Sequence, residues 1–328
     1  MKQPLNAAVI GYGLGGRVFH AHPIARTEGL RLAAVVSGRK AEIARDHPGV
    51  AVHASPEAVF ADPTIDLVAI STPNTAHFPL AARALAAGKH VVVDKPFTVT
   101  GEEARELKRR AEAAGRMLTV FHNFRYYADY LALKQMIGSG VLGEITYFES
   151  HFDRYAPLVP DAWREKPGPG SGTWWDLAPH LIDQVLQLFG KPEALFADMA
   201  IQREGGGATD FFHVLLRYPK LRVVLTSCFL AAAEELRFVV HGSKASLIKY
   251  GIDLRNGVDP KPGTLVFGDG AEKPAPAGRA DERAFYAAVR DAILGEAPNP
   301  VPVDEGIAVM DILEAGEKSV AERREVAL

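Results

Sequence analysis

The sequence predicts an α/β protein with two domains: a doubly wound parallel sheet in residues 1–122, then in residues 123–328 an α+β domain with a large, mostly antiparallel sheet. Two observations lead to this prediction. In the first third of the chain, short apolar runs alternate with helix-compatible segments, which is typical of parallel sheets. After residue 195, apolar runs are separated by turn residues such as Gly205-Gly206-Gly207 without intervening helices, which is typical of antiparallel sheets.

Composition excludes several classes of protein. The 328 residues carry 37 basic and 40 acidic side chains, a net charge of -3, and no long block of one sign, which argues against nucleic acid or a membrane surface as a partner. No apolar run approaches the roughly 18 residues of a membrane helix, and a strand that starts directly after Met1 and Lys2 leaves no room for a signal peptide. The single cysteine, Cys228, is expected to be a buried, inert thiol in a strand. We therefore expect a cytoplasmic protein.

A short apolar run that begins at Leu5 leads into three glycines, Gly11, Gly13 and Gly16, in G-x-G-x-x-G spacing. In a strand–turn–helix unit the first permits a tight turn, the second lets a pyrophosphate approach the backbone, and the third lets helix and strand pack closely. The spacing also occurs by chance as a structural turn. Because it opens a βαβ pattern here, it predicts a Rossmann-type dinucleotide site. The residues expected to contact the dinucleotide are Gly11, Tyr12, Gly13, Leu14 and Gly16.

The other elements follow from hydrophobic periodicity and turn residues. In the first domain we predict helices at 17–27, up to residue 87 and at 101–114, and strands at 30–36, 66–70, 90–93 and 117–121. In the second we predict a helix at 129–137, strands at 143–155, 195–203, 211–218, 221–229 and 236–241, the last extended by 246–250, a loop at 259–263, and helices at 281–294 and 304–323. The last two helices are expected to pack over the sheet or the domain junction. An open sheet face indicates a homo-oligomer, a dimer or a tetramer.

The end of the second strand bears on cofactor choice. A site for NAD normally presents a carboxylate there to the ribose hydroxyls. This chain has Ser37, Arg39 and Lys40 instead. A carboxylate would repel a 2'-phosphate, whereas a hydroxyl and two cations would bind one, so the sequence favours NADP over NAD. The alternative is that Arg39 and Lys40 are solvated charges that open a helix.

Polar residues follow two further strands, where doubly wound sheets bind their ligands. Ser71, Thr72, Asn74 and His77 follow the strand at 66–70, and Asp94 and Lys95 follow the strand at 90–93. Asn74 has the alternative role of capping the helix that runs to residue 87. Lys95 is expected close to the nicotinamide, although most lysines are surface charges.

In the second domain, a flexible glycine-containing loop precedes Asp176 and His180, which stand one helical turn apart at the start of an apolar-periodic helix. Both are expected on one helix face, where a carboxylate fixes the tautomer of an imidazole and raises its basicity, as a general base requires. The alternative is a structural cap and a packed histidine. No metal site is expected, because the other histidines are scattered and no H-E-x-x-H motif or cysteine pair exists.

Three motifs taken together, Gly11-x-Gly13-x-x-Gly16, Asp94-Lys95-Pro96 and Asp176-x-x-x-His180, resemble the glucose-fructose oxidoreductase/inositol dehydrogenase (Gfo/Idh/MocA) family over essentially the whole chain. The resemblance implies that Lys95 and His180 flank the nicotinamide, that Asp176 orients His180, and that the reaction is reversible oxidation of a secondary alcohol on a cyclic polyol or sugar. Trp163 and Arg164 resemble a family pair near the cofactor.

The segments 10–20, 147–155 and 170–184 resemble the NADP-dependent scyllo-inositol dehydrogenase branch of that family. That branch usually reads N-R-R-W-D after the last Rossmann strand, whereas this chain reads N-F-R-Y-Y at 123–127, which leaves the particular polyol open. Alternation along a strand puts His151 and Asp153 on one face and Arg154 on the other. The candidates for holding substrate hydroxyls or walling the site are Asn123, Arg125, His151, Asp153, Arg154 and Trp174. The competing functions are a sugar oxidoreductase on the same scaffold, a cofactor-sensing regulator without turnover, and transient-redox glycoside cleavage.

Overall fold

The computed structural model describes residues 3–233, 235–251 and 255–328. It divides the chain into two compact units: unit 1 comprises Met1–His122 and Glu282–Ile307, and unit 2 comprises Asn123–Asp281 and Ala308–Leu328. The sequence prediction placed all of 123–328 in the second domain, so the return of Glu282–Ile307 to unit 1 is a feature that it did not contain. The prediction that a strand starts directly after Met1 and Lys2 involves two residues that lie outside the described ranges.

Unit 1 is built on a parallel sheet of six strands in the order β3-β2-β1-β4-β5-β6. The strands are β1 (Leu5–Ile10), β2 (Leu30–Val36), β3 (Ala51–His53), β4 (Leu67–Ile70), β5 (His90–Val93) and β6 (Leu118–Val120). All four side chains of β4 are fully buried, as expected of a strand covered on both faces. The strand order reverses between β1 and β4, which is the switch point where such sheets bind ligands. The predicted doubly wound sheet is confirmed.

Helices connect these strands: α1 (His22–Arg26), α2 (Lys40–Asp46), α3 (Glu57–Ala61), α4 (His77–Ala86) and α5 (Gly101–Ala114). The helix predicted at 17–27 differs, because a π-helix over Gly15–Ala21 precedes α1. The backbone N–H of His22 donates to the carbonyl of Arg17, and Pro23 has no N–H with which to continue an α-helical ladder. This wider turn follows the glycine loop directly.

Unit 2 contains a sheet of nine strands in the order β15-β14-β12-β11-β7-β10-β9-β8-β17, and a separate pair of strands, β13 and β16. Its helices are α6 (Ala128–Ser139), α7 (Gly172–Asp176) and α8 (Ala178–Phe189). Its strands are β7 (Ile145–His151), β8 (Ala194–Ala200), β9 (Phe211–Arg217), β10 (Arg222–Cys228), β11 (Leu236–Gly242), β12 (Ala245–Tyr250), β13 (Gly257–Val258), β14 (Thr264–Phe267), β15 (Glu272–Pro274), β16 (Arg279–Ala280) and β17 (Val326–Ala327). The last helices are α9 (Ala284–Ile293) and α10 (Val303–Glu322).

The neighbours in the large sheet are antiparallel except β7 and β10, so the predicted mostly antiparallel sheet is confirmed. The segment 246–250 is not an extension of the preceding strand, because the chain turns after Gly242 and β12 pairs antiparallel with β11. Cys228, expected to be buried, is only half-buried at the end of β10, with its Sγ 3.7 Å from Gln202 Oε1. Among the described residues, no helix has both the length and the apolar character needed to cross a bilayer.

Candidate active site

Two of the three glycines in the turn after β1 cannot be replaced by a residue with a side chain without a clash. Gly11 has φ +98°, and a Cβ built on it would lie 2.1 Å from the carbonyl oxygen of Ser71. A Cβ on Gly16 would lie 2.0 Å from the carbonyl oxygen of Gly11. Both contacts are far below van der Waals distance, so the turn is packed against the end of β4.

Gly13, at the middle position, has a different environment. No heavy atom lies within 4 Å of the Cβ that an alanine would place there, and the side chain of Leu14 is 76% exposed. This open cradle at the start of a helix fits the pyrophosphate of a dinucleotide. The side chain of Tyr12 is buried and its hydroxyl donates to Asp46 Oδ2 at 3.1 Å, so the ring braces the turn from the protein side and the predicted contact of Tyr12 with a dinucleotide would come from its backbone.

The end of β2 carries the predicted cationic residues. Ser37 Oγ accepts a hydrogen bond from the backbone N–H of Arg39 at 3.2 Å, and the Arg39 guanidinium lies 3.4 Å from both carboxylate oxygens of Glu42. Lys40 is the first residue of α2. Arg39 and Lys40 are both exposed, and with the Ser37 hydroxyl they form a surface that fits a phosphate.

The ends of β4 and β5 are joined by a carboxylate. Asp94 Oδ2 accepts a hydrogen bond from Ser71 Oγ at 2.8 Å, and its Oδ1 accepts one from the backbone N–H of Lys95 at 2.8 Å. A Cβ on Gly15 would come within 3.2 Å of Asp94 Oδ2, so the glycine turn packs on the same group. Burial opposes the charge of Asp94, but the hydrogen bond and charge of His20, with the charge of Lys95, hold the pKa of this carboxyl well below its ordinary value.

His77 does not turn its ring towards an open surface, as a cofactor contact would. It is fully buried, with Nδ1 2.8 Å from the carbonyl oxygen of Pro96 and Nε2 3.0 Å from that of Thr72. Burial lowers the pKa of this imidazole. The predicted role as a cofactor ligand is therefore corrected to that of a brace between the loops after β4 and β5. Asn74 begins a 3-10 turn, and the N-cap of α4 is Ala76, so the proposed cap is not observed.

Two unit 1 residues at Asp94 escaped the sequence analysis. His20 is fully buried, with Nε2 3.3 Å from Asp94 Oδ2 and Nδ1 2.5 Å from the hydroxyl oxygen of Tyr286. His20 lies in the helix that follows the glycine turn, so its sequence position alone could have marked it as a candidate site residue. Tyr286 lies 266 residues further along the chain, on α9, and no local pattern marks it.

In unit 2, His180 lies on α8 with its ring stacked on Phe124, the centroids 3.9 Å apart and the planes at 14°. The carbonyl oxygen of Phe124 accepts a hydrogen bond from Gln184 Nε2 at 3.2 Å, and Gln184 Oε1 accepts one from the buried Arg237 at 2.8 Å. The plane of the imidazole is thus fixed by a residue that is itself anchored. A ring held in this way suits a group that must transfer a proton in one direction.

The predicted single helix carrying Asp176 and His180 is wrong. Asp176 ends α7, and α8 begins at Ala178. Pro179 has no N–H to donate to the carbonyl one turn earlier, which breaks the ladder at this point. Asp176 Oδ1 lies 3.6 Å from Nε of Arg164, whose guanidinium also lies over the ring of Trp163 at 4.8 Å. The structure therefore brings Arg164 to the predicted orienting carboxylate and Trp163 to Arg164.

His151 and Asp153 are corrections to the predicted substrate contacts. Phe152 lies on the side of the sheet where its ring approaches His180, with centroids 6.3 Å apart. Alternation places His151 on the opposite face. There its Nε2 lies 2.8 Å from Glu149 Oε1 and its Nδ1 3.0 Å from Asp153 Oδ2. Burial opposes the charged form, but these two carboxylates raise the pKa of His151.

The other predicted substrate contacts divide between packing and polar roles. Trp174 is 1% exposed and donates its indole N–H to the carbonyl of Leu313 at 3.1 Å, so it is a core residue and not a wall of the site. Arg125 forms a buried two-point pair with Asp183, with Nε donating at 2.8 Å and Nη2 at 2.5 Å. Asn123 donates to the hydroxyl of Tyr127 at 3.1 Å. Arg154 lies over the ring of Phe152 at 4.9 Å.

Within the described ranges, no group of three or more His, Cys, Asp or Glu side chains has an arrangement that could hold a metal ion.

A six-stranded parallel sheet with an open glycine cradle at its switch point is the architecture of an NAD(P)-binding domain. Residues 5–122 match the model of an oxidoreductase family with an NAD-binding Rossmann fold, and residues 134–328 match the C-terminal alpha/beta domain of the same family. The chain belongs to the Gfo/Idh/MocA family, as its three motifs predicted, and is an oxidoreductase.

Relatives of this chain cover its whole length. It is 47% identical to the uncharacterized oxidoreductase YdgJ of Escherichia coli, over 100% of both chains. It is 36% identical to IolW of Bacillus subtilis, a scyllo-inositol 2-dehydrogenase (NADP(+)), over 99% of this chain and 96% of that one. The solved structure of YvaA from Bacillus subtilis has a TM-score of 0.96 at 35% identity, covering 99% of each chain.

Proposed function

We propose that this protein is an NADP-dependent dehydrogenase that oxidises a secondary alcohol of a cyclic polyol or sugar, with scyllo-inositol as the first candidate substrate. The observation that carries the proposal is the position of Lys95. It is the second residue after β5, its backbone N–H donates to Asp94 Oδ1, and Asp94 packs against the glycine turn. The name of IolW supports the choice of cofactor and substrate class.

The residues proposed to hold the cofactor come from the carboxyl ends of the strands in unit 1. The open cradle at Gly13 and the backbone N–H groups that follow it suit the pyrophosphate. Ser37, Arg39 and Lys40 suit a 2'-phosphate, since a guanidinium and an ammonium form charge-assisted hydrogen bonds with phosphate oxygens. When bound, the nicotinamide supplies the hydride acceptor.

His180 is the proposed general base. The stacking of its ring on Phe124 fixes the direction in which its nitrogens point, and we assign it the removal of the hydroxyl proton from the substrate. Asp176 is the proposed orienting carboxylate for this histidine, and Nε of Arg164 lies 3.6 Å from it. A general base contributes a factor of roughly 100 to 10,000 to the rate.

Lys95 is the proposed electrostatic partner of His180. Its ammonium would donate a hydrogen bond to the same substrate oxygen and stabilise the negative charge that develops as the proton leaves. Because the Lys95 backbone is bound to Asp94, the side chain starts from a fixed point. Proton removal and charge stabilisation at one oxygen therefore fall to two different side chains.

A spectrophotometric screen tests this function. Wild-type protein is incubated with NADP+ or NAD+ and a panel of inositols, aldoses and ketoses, and formation of the reduced nicotinamide is followed at 340 nm, the standard wavelength. We expect turnover with at least one polyol or sugar and NADP+. Binding of NADPH with no turnover over the whole panel would indicate a cofactor-sensing regulator. Cleavage of a glycoside without net NADP+ consumption would indicate transient-redox hydrolysis.

We also propose that the protein forms a homo-oligomer through the open face of the large sheet. Phe196 on β8 is 45% exposed on this sheet and would supply apolar area to such an interface. The expected result of sedimentation velocity is a dimer or a tetramer at micromolar concentration. A monomer that gains no mass up to 100-fold higher concentration would reject this part of the proposal.

A further inference from the structure

Asp94 is held by residues from four separate elements of unit 1. Ser71 comes from the end of β4, Lys95 from the end of β5, His20 from the helix after the glycine turn, and Tyr286 reaches the group through His20 from α9. The rings of His20 and Tyr286 are both fully buried. Burying a series of polar side chains costs folding free energy, which indicates that this arrangement has a function.

The contacts run from Tyr286 through His20 to Asp94. Burial and the nearby charge of Asp94 raise the pKa of Tyr286 well above its ordinary value, so the phenol keeps its proton. The hydroxyl oxygen of Tyr286 lies 2.5 Å from Nδ1 of His20 and shares a hydrogen bond with it, and Nε2 of His20 lies 3.3 Å from Asp94 Oδ2. His20 therefore bridges the phenol and the carboxylate.

We propose that His20 and Tyr286 are positioning residues that fix the backbone of Lys95 through the carboxylate of Asp94. With Oδ2 bound by the Ser71 hydroxyl and lying 3.3 Å from Nε2 of His20, the other oxygen, Oδ1, is directed at the backbone N–H of Lys95. The inference rests on the proposed function only for the catalytic consequence, since the contacts lie within unit 1. It also gives the returning segment that carries Tyr286 a function, because that segment supplies the outer end of the chain.

Aromatic rings pack around His20 and Tyr286, so a substitution that keeps the ring changes only a polar contact. The His20 ring lies 4.2 Å from the ring of Phe121, and Phe121 packs edge-on against Phe285 at 4.7 Å. Replacing Tyr286 by Phe keeps this packing and removes one hydroxyl. The substitution therefore removes the hydrogen bond that orients the His20 ring, and through His20 it alters the position of the Asp94 carboxylate.

The test measures amide hydrogen exchange at Lys95 in the full-length protein. Its N–H donates to Asp94 Oδ1, and Pro96 carries no N–H, so the signal of this segment is simple to assign. We expect exchange at Lys95 to rise about tenfold in Tyr286→Phe, the loss of protection that one hydrogen bond provides. His20→Leu is expected to raise it further, and His20→Gln, which keeps a donor near the position of Nε2, is expected to restore most of the protection.

The matched control is Tyr218→Phe in unit 2. Tyr218 is also a buried tyrosine, with its hydroxyl donating to the carbonyl of Gly190 at 2.8 Å, so the chemical change is the same. Exchange at Lys95 in this control should stay within twofold of the wild type. An equal response of Lys95 in both variants, or a rise spread uniformly over β1–β6 in Tyr286→Phe, would overturn the proposal.

Turnover provides a second readout. With the substrate found by the screen, Tyr286→Phe should lower kcat about tenfold while KM and the Kd of NADPH change less than twofold, because the contact of Lys95 with the substrate oxygen strengthens most as negative charge develops there. An unchanged kcat would overturn the catalytic part. Failure of the proposed function is separate: it would appear as no turnover in the wild type, with exchange at Lys95 still responding to Tyr286→Phe.

Discussion

The Cβ of an alanine at position 11 would lie 2.1 Å from the carbonyl oxygen of Ser71. This close approach joins the glycine turn to the end of β4, the two parts of the sheet between which the strand order reverses. Gly16 is limited in the same way by the carbonyl oxygen of Gly11 at 2.0 Å, whereas Gly13 has no heavy atom within 4 Å and faces open space.

The first prediction separates these two roles. Gly11→Ala should lower the melting temperature by several degrees, because the methyl clashes with a backbone atom and φ is +98°. Gly13→Ala should keep the melting temperature of the apo protein and weaken NADPH binding about tenfold or more, because its methyl enters open space where the pyrophosphate is proposed to lie. Thermal unfolding and fluorescence titration measure the two effects. Equal Kd values for Gly13→Ala and wild type would contradict the proposed cradle.

Local sequence patterns are sufficient to predict the sheet type of both units. The four residues of β4 are apolar and fully buried, so this strand could be identified from its composition alone. The glycine motif likewise marks its own turn. Contacts between distant parts of the chain leave no such pattern: the hydrogen bond of His20 with Tyr286 spans 266 residues.

The prediction that His151 contacts the substrate failed because the sequence does not show which face of the sheet its side chain occupies. Alternation correctly places His151 and Asp153 on one face, but it does not say which face meets the helices. That choice is decided by Phe152, which packs with Phe124 and the ring of His180. The break between α7 and α8 is different, because Pro179 was visible in the sequence and signals it directly.

The second prediction concerns cofactor choice. Arg39→Ala should weaken NADPH about tenfold, the value of one charge-assisted hydrogen bond, and leave NADH within twofold. Arg45→Ala, on the helix α2 that Arg39 precedes, is the control, since Arg45 is paired with Asp46 and its loss should affect neither dissociation constant. Both dissociation constants are measured by nicotinamide fluorescence. A parallel loss for NADPH and NADH in Arg39→Ala would reject a 2'-phosphate contact.

The third prediction compares two ion pairs in the loop after β7. The buried Arg203 donates to Glu165 at 2.6 Å and to Asp210 at 3.0 Å. Glu165→Gln should lower the free energy of unfolding by about 1–3 kcal/mol, because a buried guanidinium loses part of its compensation. Lys166→Gln breaks the exposed pair with Asp161 and should stay near wild type.

Urea denaturation measures both variants of this loop, and limited proteolysis gives an independent check. Glu165→Gln should be cut faster between residues 155 and 171, since Arg203 also binds the carbonyl oxygen of Ala156 at 3.2 Å and anchors the loop from both sides. If Lys166→Gln destabilises as much as Glu165→Gln, burial does not determine the strength of these pairs.

The fourth prediction is a pH dependence at Glu235. Burial, with the charge of Asp153, raises the pKa of this carboxyl from 4.5 to about 7, against the opposing charge of Arg237. The native protein therefore retains this proton in a range where the unfolded chain has lost it. The resulting stability is complete below pH 4.5 and is lost as the pH rises towards 7.

Glu235→Gln mimics the protonated form and removes this dependence. We expect the variant to match the wild type at pH 4.5 and to be the more stable of the two at pH 8, with the difference growing between these values. The exposed Glu204→Gln is the control and should run parallel to the wild type. Denaturant titrations across this range measure the effect; a constant difference between Glu235→Gln and wild type would refute it.

The fifth prediction concerns the two proposed catalytic side chains. His180→Ala should lower kcat by roughly 100- to 10,000-fold and leave the Kd of NADPH within about twofold. Lys95→Ala should lower kcat by a similar factor, because it removes the stabilising charge at the same oxygen. His213→Ala and Lys220→Ala, both on exposed positions of unit 2, are the matched controls and should keep wild-type kcat. Unchanged turnover in His180→Ala would remove this residue from the mechanism.

The central claim is that Lys95 and His180 act on one substrate oxygen. A crystal structure of the protein with NADP+ and the polyol selected by the screen tests this most directly. The account predicts that Nζ of Lys95 and a ring nitrogen of His180 both lie within about 3.2 Å of the carbinol oxygen. A complex in which either side chain lies more than about 6 Å from that oxygen, or points away from it, would contradict the claim.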